Sequence, residues 1–480
     1  MNWCSYREKL LSERYSLSTS LRIMIFFIFI PFAIKVGFMM SSGFVGGVFI
    51  LNFLIPTLLL FTNIRDRSYV VSERLRRTYE LEDKVRIVSS NGRYNLPKFT
   101  ILLPMYMENL ETVKNLHSHI MALEYPREKM EVFVVVERGD DMTIKNALEV
   151  GFERSNIIVN MSVNTKTKGY AMNYAMDYVS GDYIVVYDAE DIPHYNQLLL
   201  AAYYFLRREG ACVLQFKLRY YNRINWIANN IFAEYEFIFS FRNRALSYLY
   251  SVLPLGGTSN FYPIEVLRMV GGWNGRNVTE DAEMSNILTK FRIPIIQVDG
   301  CMTLEECVTR SMAWIRQRSR WHKGYFQTFY CAILNIPGDV IKHGIRVLFN
   351  YSYWIFIFFI GMSILSNIIV ISYSCSMLYK VILYSITEES LYLIYKKVNA
   401  NGGIWICGSG IVLYLLQYCI LCRRIGVLRH YNLLWISFHG ILSGLMHAGA
   451  YGKAVYEIVF KPHYWDKTYH SGDYVERKRR

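Results

Sequence analysis

Proline and cysteine are both sparse in this chain of 480 residues, at 11 and nine. Nine scattered cysteines exclude a disulfide framework. The closest pair, Cys419 and Cys422, ends an apolar segment with no second pair or histidine cluster nearby, so packing rather than zinc is expected there. Charge is scarce too, at 19% of residues against 52% hydrophobic and 16% aromatic. That balance excludes disorder, collagen and an ordinary soluble enzyme, and points to a membrane protein carrying a folded domain. There is no internal repeat and no low-complexity segment. One sign of charge prevails: the net charge of +14 suits an anionic partner, whether nucleic acid, acidic leaflet or phosphorylated small substrate. No recognised nucleic-acid-binding module is present, so no nucleic-acid partner is expected and the basic loops read as anchors to membrane lipids.

The apolar residues fall at the two ends. Leu21 to about Phe61 reads as a hairpin of two spans turning at Met40-Ser41-Ser42-Gly43, with Lys35 snorkelling near one end. Basic residues on both flanks place its ends in the cytoplasm, and the long charged flank reads as a signal anchor, not a cleaved signal peptide. Val347 to Tyr379, Val398 to Cys422 and His430 to Gly452 lack Asp, Glu, Lys and Arg. They give four further spans, or two if the first is a single span and the last is re-entrant, and hence six or four in all. His439 and His447, eight apart in the last stretch, read as packed side chains rather than a metal or proton site. The expected division is a membrane segment at 1–64, a cytoplasmic domain at 65–346, and a C-terminal membrane region with a basic tail at 347–480.

In the middle, short apolar runs alternate with charged helical stretches, the pattern of an α/β sheet. Strands are expected at Phe99 to Leu103, Glu131 to Val136, Ile157 to Val159, Tyr183 to Tyr187 and Cys212 to Phe216. Ala245 to Ile264 is also uncharged, but its prolines and glycines argue against a spanning helix.

Three motifs carry chemistry. Tyr183 to Tyr187 runs into Asp188-Ala189-Glu190-Asp191, acids at the end of a strand where open α/β sheets bind ligands. Carboxylates so close repel unless a cation joins them, so Asp188, Glu190 and Asp191 are candidate ligands for Mg2+ or Mn2+ bridging a diphosphate. A solvated acidic turn is the plainer alternative. Second, Thr279-Glu280-Asp281 follows the turn Gly271-Gly272-Trp273. Either Thr279 caps a helix with acids in its first turn, or Asp281, with Glu280 beside it, serves as a general base. Upstream, Gly257 and Thr258 in Leu255 to Asn260 let a phosphate or sugar approach the backbone. Third, Trp314 to Gly324 is basic and aromatic. It suits an interfacial helix, or Gln317, Arg320 and Trp321 hold a diphosphate and stack on a sugar.

The order of Asp188-Ala189-Glu190-Asp191, Thr279-Glu280-Asp281 and Gln317-Arg318-Ser319-Arg320-Trp321, with apolar segments on both sides, resembles the family 2 membrane glycosyltransferases of the cellulose synthase and hyaluronan synthase group. Ile101 to Glu108, Lys166 to Asn173, Pro254 to Asn260 and the tail Lys461 to His470 resemble the same group. The resemblance implies a GT-A type α/β domain inserted between transmembrane α-helices, in a multi-pass plasma membrane protein with the catalytic domain in the cytoplasm. It implies a UDP- or GDP-linked sugar donor, Mg2+ or Mn2+, and inversion at the anomeric carbon, with the sugar passing to a growing polysaccharide and export of the product. Transfer to a lipid acceptor such as a polyprenyl phosphate is the alternative. Carried over by position, Pro104, Tyr106, Glu108 and Lys168 line the nucleotide pocket, and Asp188 and Glu190 are the diphosphate and metal acids. Asp281 is the base, Gln317 and Arg320 close over the diphosphate, and Trp321 borders the acceptor. Glu190 stands where aspartate is common, and Glu137, Asp140 and Asp141 all offer themselves as the nucleobase-reading carboxylate.

A glycosidase needs two carboxylates but no basic diphosphate-binding segment. A transporter without catalysis is the other rival, and it calls for charges inside the spans, whereas these acids lie in the middle region.

Overall fold

The computed structural model describes residues 96–162, 167–250, 252–387, 390–398, 433–461 and 464. The N-terminal hairpin, the Cys419/Cys422 pair with nearly all of the stretch around it, His439's side chain, Lys166 and most of the tail motif lie outside the described residues.

The elements in chain order are β1 (Phe99–Met105), α1 (Leu110–Met121), β2 (Met130–Glu137), α2 (Asp141–Val150), β3 (Ile157–Asn160), α3 (Lys168–Ala175), β4 (Tyr183–Val186) and α4 (Gln197–Arg207). Then come β5 (Val213–Tyr220), α5 (Trp226–Phe237), α6 (Asn243–Tyr250), β6 (Asn260–Pro263), α7 (Ile264–Val270), α8 (Glu280–Lys290) and β7 (Ile295–Glu305). The C-terminal helices are α9 (Ser311–Leu334), α10 (Ile336–His343), α11 (Tyr351–Thr387), α12 (Leu391–Val398) and α13 (Leu433–Phe460).

The five expected strands are all present, and with β6 and β7 they form a mixed sheet of seven strands in the order β3-β2-β1-β4-β6-β5-β7. Period-two alternation divides their side chains between two cores. Ile101, Leu103, Val134, Val136 and Val185 meet α1, α2 and α4 on one face. Leu102, Val135, Ile184 and Val186 meet α3, α7 and α8 on the other. With both faces covered, the strands read as continuous apolar runs, as buried parallel strands do. Side-chain caps start the helices: Asn109 accepts from Thr112 N at 2.8 Å and Asn225 from Ala228 N at 3.0 Å.

Two strands escape the apolar-run criterion. β6 is four residues long and ends in a proline, and it pairs antiparallel with both β4 and β5. β7 pairs parallel with β5, but its register jumps after Val298, so that Lys217 faces Met302 and the run is broken at Asp299-Gly300.

β1 pairs with β2 on one side and β4 on the other, all parallel, so successive connections leave β1 in opposite directions. Such a switch point opens a crevice at the carboxyl ends of the strands. The described side chains fix α9 along α13. Trp314 meets His447 edge-on at 4.6 Å, His322 meets Tyr451 at 5.6 Å, and the fully buried Lys323 pairs with Glu457 at 2.8 Å. His447 is thus a packed ring. Among the described residues, no helix is long and apolar enough to cross a membrane.

Candidate active site

A cavity of ≈ 220 Å³ opens at this switch point. The ends of β1 and β2 supply Pro104, Tyr106, Glu108 and Glu137, and the turn after β4 supplies Asp188 and Glu190. Lys168 enters from the first turn of α3, Gly257 and Thr258 from the loop before β6, Glu280 and Asp281 from the start of α8, and Gln317, Arg320 and Trp321 from α9. Residues far apart in the chain thus meet at one wall.

Local structure explains the placement. Gln215, fully buried on β5, accepts from Gly256 N at 2.6 Å and donates to Thr258 O at 3.0 Å, which pins the glycine loop to the sheet. Gly257 lies where the charged groups converge. A Cβ built there would sit 3.7 Å from each of Asp188 Oδ2, Asp281 Oδ2 and Lys168 Nζ. Thr279 occupies the N-cap position of α8, but its side chain caps nothing. Instead Glu283 accepts from Asn274 and Asn277 and holds the turn before the helix.

Along α9, Gln317, Arg320, Trp321 and Tyr325 recur at helical spacing and share the cavity face. Gly324 permits the approach: a Cβ there would lie 2.1 Å from Thr279 Oγ1. The segment is therefore more than an interfacial helix, since Gln317, Arg318, Ser319 and Lys323 are buried within the protein.

The charges are strongly interdependent. Lys168 Nζ bonds Asp188 Oδ1 and donates to Gly257 O at 2.6 Å. Burial works against its ammonium, but Asp188, Glu280 and Asp281 outweigh that and hold its pKa above the usual lysine range. Burial, then Asp281, pushes the Glu280 carboxyl up to about 7, with Lys168 opposing. Burial also raises Asp281, against the pull of Ala282 N–H, Lys168 and Arg320. Two acids and one lysine thus leave the pair near neutrality able to hold a proton between them.

Asp140 and Asp191 are not on the wall. Asp140 caps α2 and accepts from Met107 N at 2.5 Å, holding that residue at φ 54 beside the cavity. Asp191 accepts from Asp188 N at 2.7 Å and from the Thr258 hydroxyl, so it braces the turn from behind. Glu137 does reach the wall, where its carboxylate accepts from Asn160 at 3.0 Å.

Among the described residues, no group of three or more His, Cys, Asp or Glu side chains is arranged to hold a metal. A cation shared with a substrate's phosphates needs only one or two carboxylates. Asp188 and Glu190 meet that lesser demand. Behind them Asp191 Oδ1 and Glu305 Oε1 are buried without a hydrogen-bond partner. The donor set therefore fits Mg2+ or Mn2+ held jointly with a diphosphate, and does not fit an all-protein cage.

Among the wall residues outside the sequence reading are the ionisable side chains of Arg242, Glu305, Glu306 and Tyr325. Tyr325 was within reach of it, standing four residues beyond Trp321 on a helical stripe. Arg242 and the glutamates carried no local signal.

Residues 183–395 match the family model described as glycosyl transferase family group 2. The chain is similar to a probable glycosyltransferase, YdaM, of Bacillus subtilis (strain 168), with 24% identity over 278 residues, 57% of this chain and 66% of that one. It is similar also to beta-monoglucosyldiacylglycerol synthase of Trichormus variabilis, with 26% identity over 243 residues, 49% of this chain and 50% of that one. The matched part thus spans between half and just under two thirds of these curated relatives. Among solved structures, the mannosyltransferase PcManGT of Pyrobaculum calidifontis, in complex with GDP-Man and Mn2+, aligns at 15% identity and a TM-score of 0.48, over 79% of this chain and 97% of that one.

Proposed function

We propose that this chain is an inverting GT-A type glycosyltransferase that moves a sugar from a UDP- or GDP-linked donor to a growing glycan at a membrane. The observation that carries this reading is the convergence of Asp188, Lys168, Asp281 and Arg320 on one cavity at the sheet's switch point. The family match over residues 183–395 supports it.

In this reaction an acceptor hydroxyl forms a bond to the anomeric carbon while the bond from that carbon to the diphosphate oxygen breaks on the opposite face. Asp281 takes the hydroxyl proton, a contribution typically worth roughly 10² to 10⁴ in rate. The diphosphate leaves with more negative charge, which Lys168 and Arg320 offset in a largely buried site. Trp321 offers a face for the acceptor sugar, and Gly257 leaves room between the acids. A divalent cation held by Asp188 and Glu190 supplies further compensation of the diphosphate charge when bound.

The membrane reading rests on the C-terminal sequence. Val347 to Tyr379 contains no Asp, Glu, Lys or Arg, the composition expected of a segment in contact with lipid. Phe349, Phe358 and Ile386 among its neighbours and members are exposed, as lipid-facing side chains are. Transfer to a lipid acceptor is the second reading, favoured by the diacylglycerol product named for one relative.

The test is nucleotide diphosphate release by the protein in membranes, with UDP- and GDP-sugars, Mg2+ or Mn2+, and glycan or lipid acceptors. Release from one donor, lost in Asp281→Asn, is the expected result. Equal release by that variant, or silence with every donor and acceptor, overturns the proposal.

A further inference from the structure

The cavity is also lined by residues that none of the transfer chemistry above uses, namely Leu218, Tyr235, Phe239, Tyr325 and the cation Arg242. The reason Arg242 points there is local. Residues Ile238–Arg242 form a π-helical turn between α5 and α6, and π-turns occur often at functional sites. The wider turn brings Ile238, Phe239, Arg242 and Asn243 to the same side, and all four line the cavity.

Arg242 is held in place without being neutralised. Its Nε donates to Asn243 Oδ1 at 3.1 Å, and Asn243, fully buried, donates in turn to Pro254 O at 3.4 Å. Burial lowers the Arg242 pKa from its usual value, while Tyr325, through charge and a side-chain hydrogen bond, and Glu234 work the other way. Glu234 is already committed, because its carboxylate bonds Arg318 at 2.6 Å. Arg318 in turn lies 3.9 Å above the Trp321 ring. Glu234 therefore acts on Arg242 only through charge, from beyond contact. Among the described residues, no carboxylate stands at ion-pair distance from Arg242. Tyr325 links Arg242 to the transfer chemistry, since its hydroxyl is influenced by Arg242 and by Asp281.

We infer that the acceptor of this enzyme carries an anionic group, a carboxylate or a phosphate ester, which Arg242 binds in the same cavity while the attacking hydroxyl faces Asp281. A guanidinium presents paired donors matched to either oxyanion, whereas a neutral glycan would leave this cation only its neutral partners Asn243 and Tyr325. The inference rests on the transferase reading of the same cavity, and it names the acceptor class which that reading leaves open.

The test uses the full chain in membranes with the donor that supports release, and pairs of soluble acceptors sharing one sugar skeleton: neutral, uronate-bearing and phosphate-bearing. A charge-assisted contact of this kind predicts that one anionic acceptor is used about 10- to 100-fold more efficiently than its neutral counterpart. Whether the uronate or the phosphate form is preferred identifies the source of the anion. Inorganic phosphate should then inhibit competitively against acceptor. In Arg242→Gln the preference should fall to near unity with the change confined to acceptor KM, nucleotide diphosphate should bind as before, and Arg242→Lys should restore part of the preference. Equal use of neutral and anionic acceptors, with release still dependent on Asp281, overturns this inference alone. A preference that persists in Arg242→Gln does the same. Release that does not depend on Asp281 overturns the transferase reading along with it.

Discussion

Gly324→Ala places a methyl group where α9 touches the start of α8. The new Cβ would lie 2.1 Å from Thr279 Oγ1, 2.4 Å from its Cγ2 and 2.7 Å from its Cβ. Non-bonded carbons rest at about 3.5 Å or more, so the two helices must part by roughly 1 Å. Overpacking of this sort costs about 1–3 kcal/mol, and alanine's advantage over glycine within a helix offsets about 1 kcal/mol of it. The net loss of stability is therefore small, up to about 2 kcal/mol. Turnover should suffer far more. Thr279 directly precedes Glu280 and Asp281, and a misplacement of about 1 Å at reacting groups can cost on the order of 10²-fold in rate. The assay is nucleotide diphosphate release at saturating donor, read beside the thermal midpoint of the same preparation. Adding Thr279→Ala to the variant removes Oγ1 and Cγ2, the two nearest atoms, and should recover much of the activity. Native turnover in Gly324→Ala, or no recovery in the double variant, would refute the close-packing argument.

Three further outcomes are expected. With Glu280 pushed up to about 7, turnover should rise with pH through that region as the Glu280–Asp281 pair loses its shared proton. Glu280→Gln removes the like charge and should move the rise to lower pH, and a pH–rate profile that does not move counts against the coupling. Stability has the opposite sign. The contribution of protonated Glu280 is complete below its ordinary value of 4.5 and is lost as pH climbs through about 7, so Glu280→Gln should flatten the midpoint-versus-pH curve in that window. Lys323→Met leaves Glu457 buried with only Lys453 opposite it and should cost about 3 kcal/mol, seen as a lowered thermal midpoint. Lys323→Met with Glu457→Gln should be the more stable of the two, and the reverse order would show that the pair carries little.

Much of the molecule can be read from sequence because apolar runs and acid-rich strand ends are local signals. Phe99 to Leu103 and Tyr183 to Tyr187 announce themselves as buried strands, and the acids after Tyr187 fall at the ligand-binding end of the sheet. β6 and β7 do not, since their strand character comes from partners on β4 and β5 rather than from their own periodicity. The same limit applies to the site. Asp188, Asp281 and the α9 stripe carry motif-like spacing, whereas Arg242 gains its position from a π-turn and Glu305 from a strand whose register jumps. Asp140 and Asp191 show the reverse limit, because acidic neighbours in sequence can turn their carboxylates inward to hold backbone instead of outward to a ligand.

α9 divides its duties by face. One stripe supplies Gln317, Arg320, Trp321 and Tyr325 to the cavity, while Trp314, His322 and Lys323 are fastened to α13. A helix is stiff over a few turns, so its two faces cannot shift independently. The far C-terminal helix is therefore a foundation for the cavity wall: removing α13, or swapping it for another apolar helix without Glu457, would be felt first as misalignment at Arg320 and Trp321, more than 100 residues earlier in the chain.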